Sequence, residues 1–143
     1  MELSRLIAHM MFRAGREVLP DANLIVPVPL HYGRLWYRRF NQAAALSAHI
    51  SRLSDIEWHP SALERRKRTR PQVGLSRAER ANNLQGAFHV PRNRRQLIEG
   101  KRILLIDDVL TTGATANACA KALLRAGATD VDVLVFARVV VGA

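Results

Sequence analysis

Apolar residues recur at helical spacing over the first eighteen positions. Leu3, Leu6, Ile7, Met10, Met11, Ala14 and Val18 share one face, which predicts an amphipathic helix over residues 2–18. Pro20 and Asp21 then break the pattern. The run Leu24-Ile25-Val26-Pro27-Val28-Pro29-Leu30 is short, apolar and rich in β-branched residues, so it reads as a buried strand ending near its prolines. Asn41 is placed to cap a second helix whose inward face is Ala43, Leu46, Ile50 and Leu53.

From Glu64 to Arg80 the pattern disappears. Arg65, Arg66, Lys67, Arg68, Arg70, Arg77 and Arg80 stand against Glu64 and Glu79 alone, which predicts a mobile loop over most of the stretch. Ser76 and Glu79 have capping-box spacing and predict the start of a short helix. Ala87 to Val90 reads as a brief strand, and Pro91 to Arg95 as a polar loop. The last third is clearer. Ile103 to Ile106 is a buried strand, and Ala116, Cys119, Ala120, Leu123 and Leu124 form one face of a helix closed by Gly127. Val131 to Phe136 is a second strand. Strand, helix and strand in about forty residues make a βαβ unit, hence an α/β fold with an at least partly parallel sheet flanked by helices. No repeat, low-complexity tract or linker divides the chain, so residues 1–143 are expected to form one domain.

With 143 residues and 48% apolar content, such a chain can bury a core without a metal or disulfide staple. Its single cysteine, Cys119, excludes an internal disulfide framework and a multi-cysteine zinc site. That fits a reducing compartment and an expected cytoplasmic location. No run of apolar residues is long enough for a membrane span, and the N-terminus lacks the order of a secretory signal. Charge changes the picture most: 22 Lys plus Arg against 12 Asp plus Glu gives +10, and nearly all the cations are arginine. The planar guanidinium suits phosphate, so the surplus points to nucleic acid, a phosphorylated metabolite or an anionic membrane; plain solubility is the bland alternative.

The chemistry concentrates after the strand that ends at Ile106. There the chain reads Asp107-Asp108-Val109-Leu110-Thr111-Thr112-Gly113-Ala114-Thr115 and enters the helix. Hydroxyls, a glycine and unpaired backbone N–H groups at a helix N-terminus form a cradle for phosphate. Two carboxylates one loop away would repel that phosphate, so they suit another part of the ligand, a vicinal diol or a metal. A ligand with a phosphate beside a ribose diol satisfies both halves. Neither a nucleotide P-loop nor a dinucleotide fingerprint is present.

The segment Ile103-Leu104-Leu105-Ile106-Asp107-Asp108-Val109-Leu110-Thr111-Thr112-Gly113-Ala114-Thr115 resembles the phosphoribosyl pyrophosphate (PRPP) motif of type I phosphoribosyltransferases. Val26-Pro27-Val28-Pro29-Leu30, Arg38-Arg39-Phe40-Asn41-Gln42, Thr69-Arg70-Pro71-Gln72, and Arg80 with Asn82, Asn83 and Gly86-Ala87-Phe88 resemble the ComF/GntX branch, the competence-protein-F-like members. The resemblance implies a type I phosphoribosyltransferase fold with a mainly parallel sheet and an Arg-rich lid over Arg65 to Arg77. It implies that Asp107 and Asp108 hold the ribose hydroxyls. Thr111, Thr112, Gly113, Ala114 and Thr115 would hold the 5′-phosphate. Pro29, Leu30 and His31, with Arg38, Lys67, Arg68 and Arg70, would face the pyrophosphate. Magnesium is the implied cofactor, bridging ligand oxygens with no direct protein ligand. The implied reaction is transfer of a 5-phosphoribosyl group to a nitrogenous acceptor with loss of pyrophosphate, and no residue is assignable as its general base.

Three positions depart from the family. Arg39 stands where members usually carry glycine, the four-cysteine zinc module of many members is not in this chain, and Thr111 occupies the place of the aspartate base of 6-oxopurine enzymes. Hypoxanthine and guanine are therefore disfavoured as acceptors. The family resemblance and the +10 charge also admit an alternative, a DNA-uptake protein with a non-catalytic or PRPP-sensing site and single-stranded DNA as partner. Trp36 and Tyr37 beside Arg34, Arg38 and Arg39 could stack bases, although packing on the sheet edge is the plainer reading. The oligomeric state is open, with a homodimer among the options. His9, His49, His59 and His89 have no metal-ligand spacing.

Overall fold

The computed structural model describes residues 2–29, 41–66, 76, 86–110 and 112–138. Helix α1 (Glu2–Ala14) is followed by a 3-10 turn and strand β1 (Leu24–Pro27). Helix α2 (Gln42–Ser54), strands β2 (Glu64–Arg65) and β3 (Phe88–His89) and a short helix α3 (Arg95–Ile98) come next. Strand β4 (Arg102–Leu110), helix α4 (Ala114–Arg125) and strand β5 (Asp130–Arg138) close the described chain.

Strand β4 lies between β1 and β5 and is parallel to both. The expected parallel α/β arrangement is therefore present. A further parallel bridge joins Ile25 to Trp58, placing residues 57–59 along the other side of β1. The alternation of β4 sorts its side chains into two cores. Ile103 and Leu105 pack with Phe88 and the Ala116, Cys119, Ala122 and Leu123 face of α4. Leu104 and Ile106 pack on the opposite side with Met11 of α1 and Leu46 and Ile50 of α2. A strand buried on both faces reads as a continuous apolar run, which is why Ile103 to Ile106 carries no polar residue.

Several boundaries differ from the sequence expectation, each for a physical reason. Helix α1 stops at Ala14 rather than Val18, at Gly15, a poor helix former whose N–H still bonds the Met11 carbonyl. Leu53 and Leu124 are exposed rather than in the core, because each lies just past the stripe its helix buries. Glu64 and Arg65 are not loop residues: they form β2, antiparallel to β3, with Glu64 opposite His89 and Arg65 opposite Phe88. Two-residue strands leave no apolar period to detect. The Pro91–Arg95 segment is a 3-10 turn leading into α3. Gly127, beyond the end of α4, sits at φ +103°, a left-handed backbone that favours glycine. The predicted helix start at Ser76 and Glu79, and the aromatic cluster at Trp36 and Tyr37, lie outside the described residues, Ser76 excepted.

Because Leu105 is fully buried against α4, Leu105→Ala should cost about 2–5 kcal/mol of stability. A urea titration checks it; a midpoint equal to wild type would mean that this face of β4 is not packed as described.

Candidate functional site

The site assembles at the carboxyl end of the parallel sheet, where such folds hold their ligands. Three chain segments meet there. Past β1, the Val28 N–H donates to the Ile106 carbonyl at 2.9 Å, which carries Pro29 to the edge beside the end of β4. Asn41 fastens the second segment. Its Nδ2 donates to the Val28 carbonyl at 3.2 Å, while its Oδ1 accepts from the Ala43 and Ala44 N–H groups at 2.9 and 3.4 Å. One side chain thus caps α2 and ties it to the end of β1. The sequence pointed to the cap; the bond to Val28 carries no local signal.

The third segment is the end of β4 with the start of α4. Asp107 and Asp108 belong to the strand itself, not to a loop beyond Ile106, because β5 is long enough to continue the ladder. Asp107 pairs with Val135, Val109 with Ala137 and Leu110 with Arg138. Both carboxylates are half-buried. Asp107 Oδ1 accepts from the Asp108 N–H at 2.9 Å, and Asp108 Oδ1 from the Val109 N–H at 2.9 Å. Burial, with the neighbouring Asp108 carboxylate second, pushes the Asp107 carboxyl up to about 7, so near neutrality Asp107 is only about half ionised.

Gly113 caps α4 at φ +82°, and its carbonyl accepts the Asn117 N–H at 2.9 Å. A Cβ there would meet no protein atom within 4 Å, so the backbone conformation, not crowding, calls for glycine. Thr112 Oγ1 accepts from the Ala114 N–H at 3.2 Å. The remaining N–H groups of the first turn point along the helix axis with its positive pole, an arrangement that attracts phosphate. Thr112, Gly113, Ala114 and Thr115 are therefore gathered with Asp107, Asp108 and Pro29 at one edge. Leu30, His31, Arg38, Lys67, Arg68, Arg70 and Thr111, and with them the lid but for its first residues, lie outside the described residues. Cys119 is buried in the core, where desolvation raises its thiol and removes it from reactive chemistry. Among the described residues no group of three or more His, Cys, Asp or Glu could cage a metal ion. No helix among them is long and apolar enough to cross a membrane.

The Asp107 proton has a consequence for stability. A carboxyl raised from 3.8 to about 7 on folding stabilises the native state fully below 3.8, and that contribution is lost as pH rises through 7. Asp107→Asn should therefore melt higher than wild type at pH 8, with the gap closing toward pH 5. Parallel melting curves across this range test it, and a gap independent of pH would refute the burial of the charge.

Comparison with known proteins agrees with this geometry. Residues 48–141 match the phosphoribosyl transferase domain family. Competence protein F of Haemophilus influenzae is 36% identical over 143 residues, covering 95% of this chain and 61% of that protein. DNA utilization protein YhgH of Escherichia coli K12 is 38% identical over 134 residues, covering 92% of this chain and 56% of that protein. The chain thus spans somewhat over half the length of these relatives. Among solved structures, glutamine PRPP amidotransferase from B. subtilis superposes with a TM-score of 0.62 at 20% identity, over 93% of this chain and 26% of that one. The parallel sheet, the acidic strand end and the glycine-capped helix, together with these matches, place the chain in the phosphoribosyl transferase domain family, with competence-protein-F-like proteins among its relatives.

Proposed function

We propose that this domain binds PRPP at the carboxyl edge of the sheet and transfers its 5-phosphoribosyl group to a nitrogenous acceptor, releasing pyrophosphate. One observation carries the reading: a pair of half-buried acids at the end of β4 stands one short turn from a glycine-capped helix N-terminus. In it, the Thr112 to Thr115 turn receives the 5′-phosphate, with Thr111 beside it. Asp107 and Asp108 accept hydrogen bonds from the two ribose hydroxyls and so fix the ring. The pyrophosphate extends toward Pro29, Leu30 and His31, within reach of Arg38, Lys67, Arg68 and Arg70.

The bond from C1 of the ribose to the pyrophosphate oxygen breaks as an acceptor nitrogen attacks that carbon. Charge develops on the departing oxygens, and the protein's part is to hold the ring and to offer cations to the leaving group. The attacking nitrogen gives up its proton to solvent as the new bond to C1 forms. Magnesium brought in with the ligand, with Asp107 and Asp108 nearby, would supply positive charge to offset that developing on the pyrophosphate. The carboxylates of Asp107 and Asp108 are hard oxygen donors, the kind that suits such an ion.

Calorimetric titration tests the reading. PRPP with Mg²⁺ should bind, and the Asp107→Asn, Asp108→Asn double variant should bind about tenfold more weakly or worse, as loss of charged hydrogen bonds worth about 1.5–3 kcal/mol implies. Wild-type affinity should also rise from pH 5.5 to 8, with proton release on binding, because the diol favours ionised Asp107. Equal affinity in a folded double variant would rule the ribose assignment out.

A further inference from the structure

The far end of α4 presents a different chemistry. A cleft of about 240 Å³ lies between the β2–β3 hairpin, the turn into α3 and the last turn of α4. Arg66, Arg92, Arg95 and Arg125 line it with His89, and no aspartate or glutamate does. All four arginines are exposed. Arg94 and Arg102, by contrast, meet carboxylates: Arg94 lies 2.9 Å from Glu64, and Arg102 lies 3.3 Å from Asp130 and 3.6 Å from Asp132. Among the described residues none of the four cleft arginines has a carboxylate partner.

A helix C-terminus ordinarily repels anions. Here Arg95 Nη2 donates to the Arg125 carbonyl at 3.0 Å and offsets that pole. His89 lines the same cleft. Its Nδ1 is buried without a hydrogen-bond partner among the described residues, while its Nε2 faces Glu64 at 3.9 Å. Four like charges drawn from separate elements repel one another, and a bound anion relieves that repulsion.

The lining also says which anion. Phe88 is 1% exposed and the Arg65 guanidinium lies 5.1 Å from its ring centre, so no aromatic face is open for a base to stack on. The recess is smaller than the ~300–1,000 Å³ usual for a whole small-molecule ligand. It suits phosphate groups presented by something larger, and arginines fanned over three elements suit successive phosphates along a backbone. From Ala114 to Arg125 the helix runs about 16 Å, which separates this cleft from the carboxyl edge.

We propose that this cleft docks the sugar–phosphate backbone of a nucleic-acid strand, without regard to base sequence. The docking is independent of ribosyl transfer, and either can fail without the other. The test is anisotropy of a labelled oligothymidylate with the full chain over a salt series centred on ~0.15 M. Arg92→Gln, Arg95→Gln and Arg125→Gln combined should weaken binding about tenfold or more near that salt. They should lower the slope of log affinity against log salt by about 2, as three phosphate contacts on a single strand require. A control with the same charge change on α1, Arg5→Gln, Arg13→Gln and Arg16→Gln, should leave the slope near wild type. Excess PRPP with Mg²⁺ should not displace the strand, and PRPP affinity of the cleft variant should match wild type. Equal losses in the two triple variants would mean diffuse attraction and overturn the proposal. So would displacement by pyrophosphate or a mononucleotide at matched phosphate concentration, which would mark a small-anion site instead.

Discussion

The parallel pairing of β4 on both its edges is the constraint from which the rest follows. A strand with neighbours on either side and helices over either face has every backbone group and every side chain committed before its last residues are reached. Its course is therefore set by the core as far as Ile106, and Asp107 to Leu110 continue it against β5 alone. The backbone of the two acids is held in that ladder, and α4 begins within a few residues of them. The separation between the acids and the start of α4 is thus set largely by core packing.

That rigidity has an electrostatic side. In a chain of net charge +10, the two acids side by side stand half-buried, so the protein's field favours their ionisation only weakly against desolvation and mutual repulsion. A site meant merely to sit in solvent would spread these charges apart. Keeping them adjacent leaves a carboxyl pair whose unmet hydrogen bonds a diol can supply. At the other end of α4 stand Arg66, Arg92, Arg95 and Arg125, around a cleft that no carboxylate lines.

The parts of this arrangement legible in the sequence are those where one residue type has one physical task. The apolar run Ile103 to Ile106 read as a buried strand, and Asp107 to Thr115 put two acids and a glycine-led helix start on neighbouring residues. Asn41 announced a helix start. What the sequence hid was relational. Nothing local says that Asn41 also binds the Val28 carbonyl, that Glu64 and Arg65 pair with a hairpin partner more than twenty residues on, or that Arg95 reaches the end of α4. The strand's true length was hidden too, because Asp107 and Asp108 read as polar loop residues until the partner β5 is in place to pair with them.

Unequal strand lengths shape the edge itself. The last residue of β1, Pro27, stands opposite Ile106, while β4 continues beside β5 as far as Leu110. Four residues of overhang make a step about 13 Å high between the two levels. The edge is accordingly a ledge with a riser, not a flat rim. On the proposed reading, PRPP would cross that step from the start of α4 toward Pro29, and its jointed, two-armed shape suits such a course better than a flat or rod-like one.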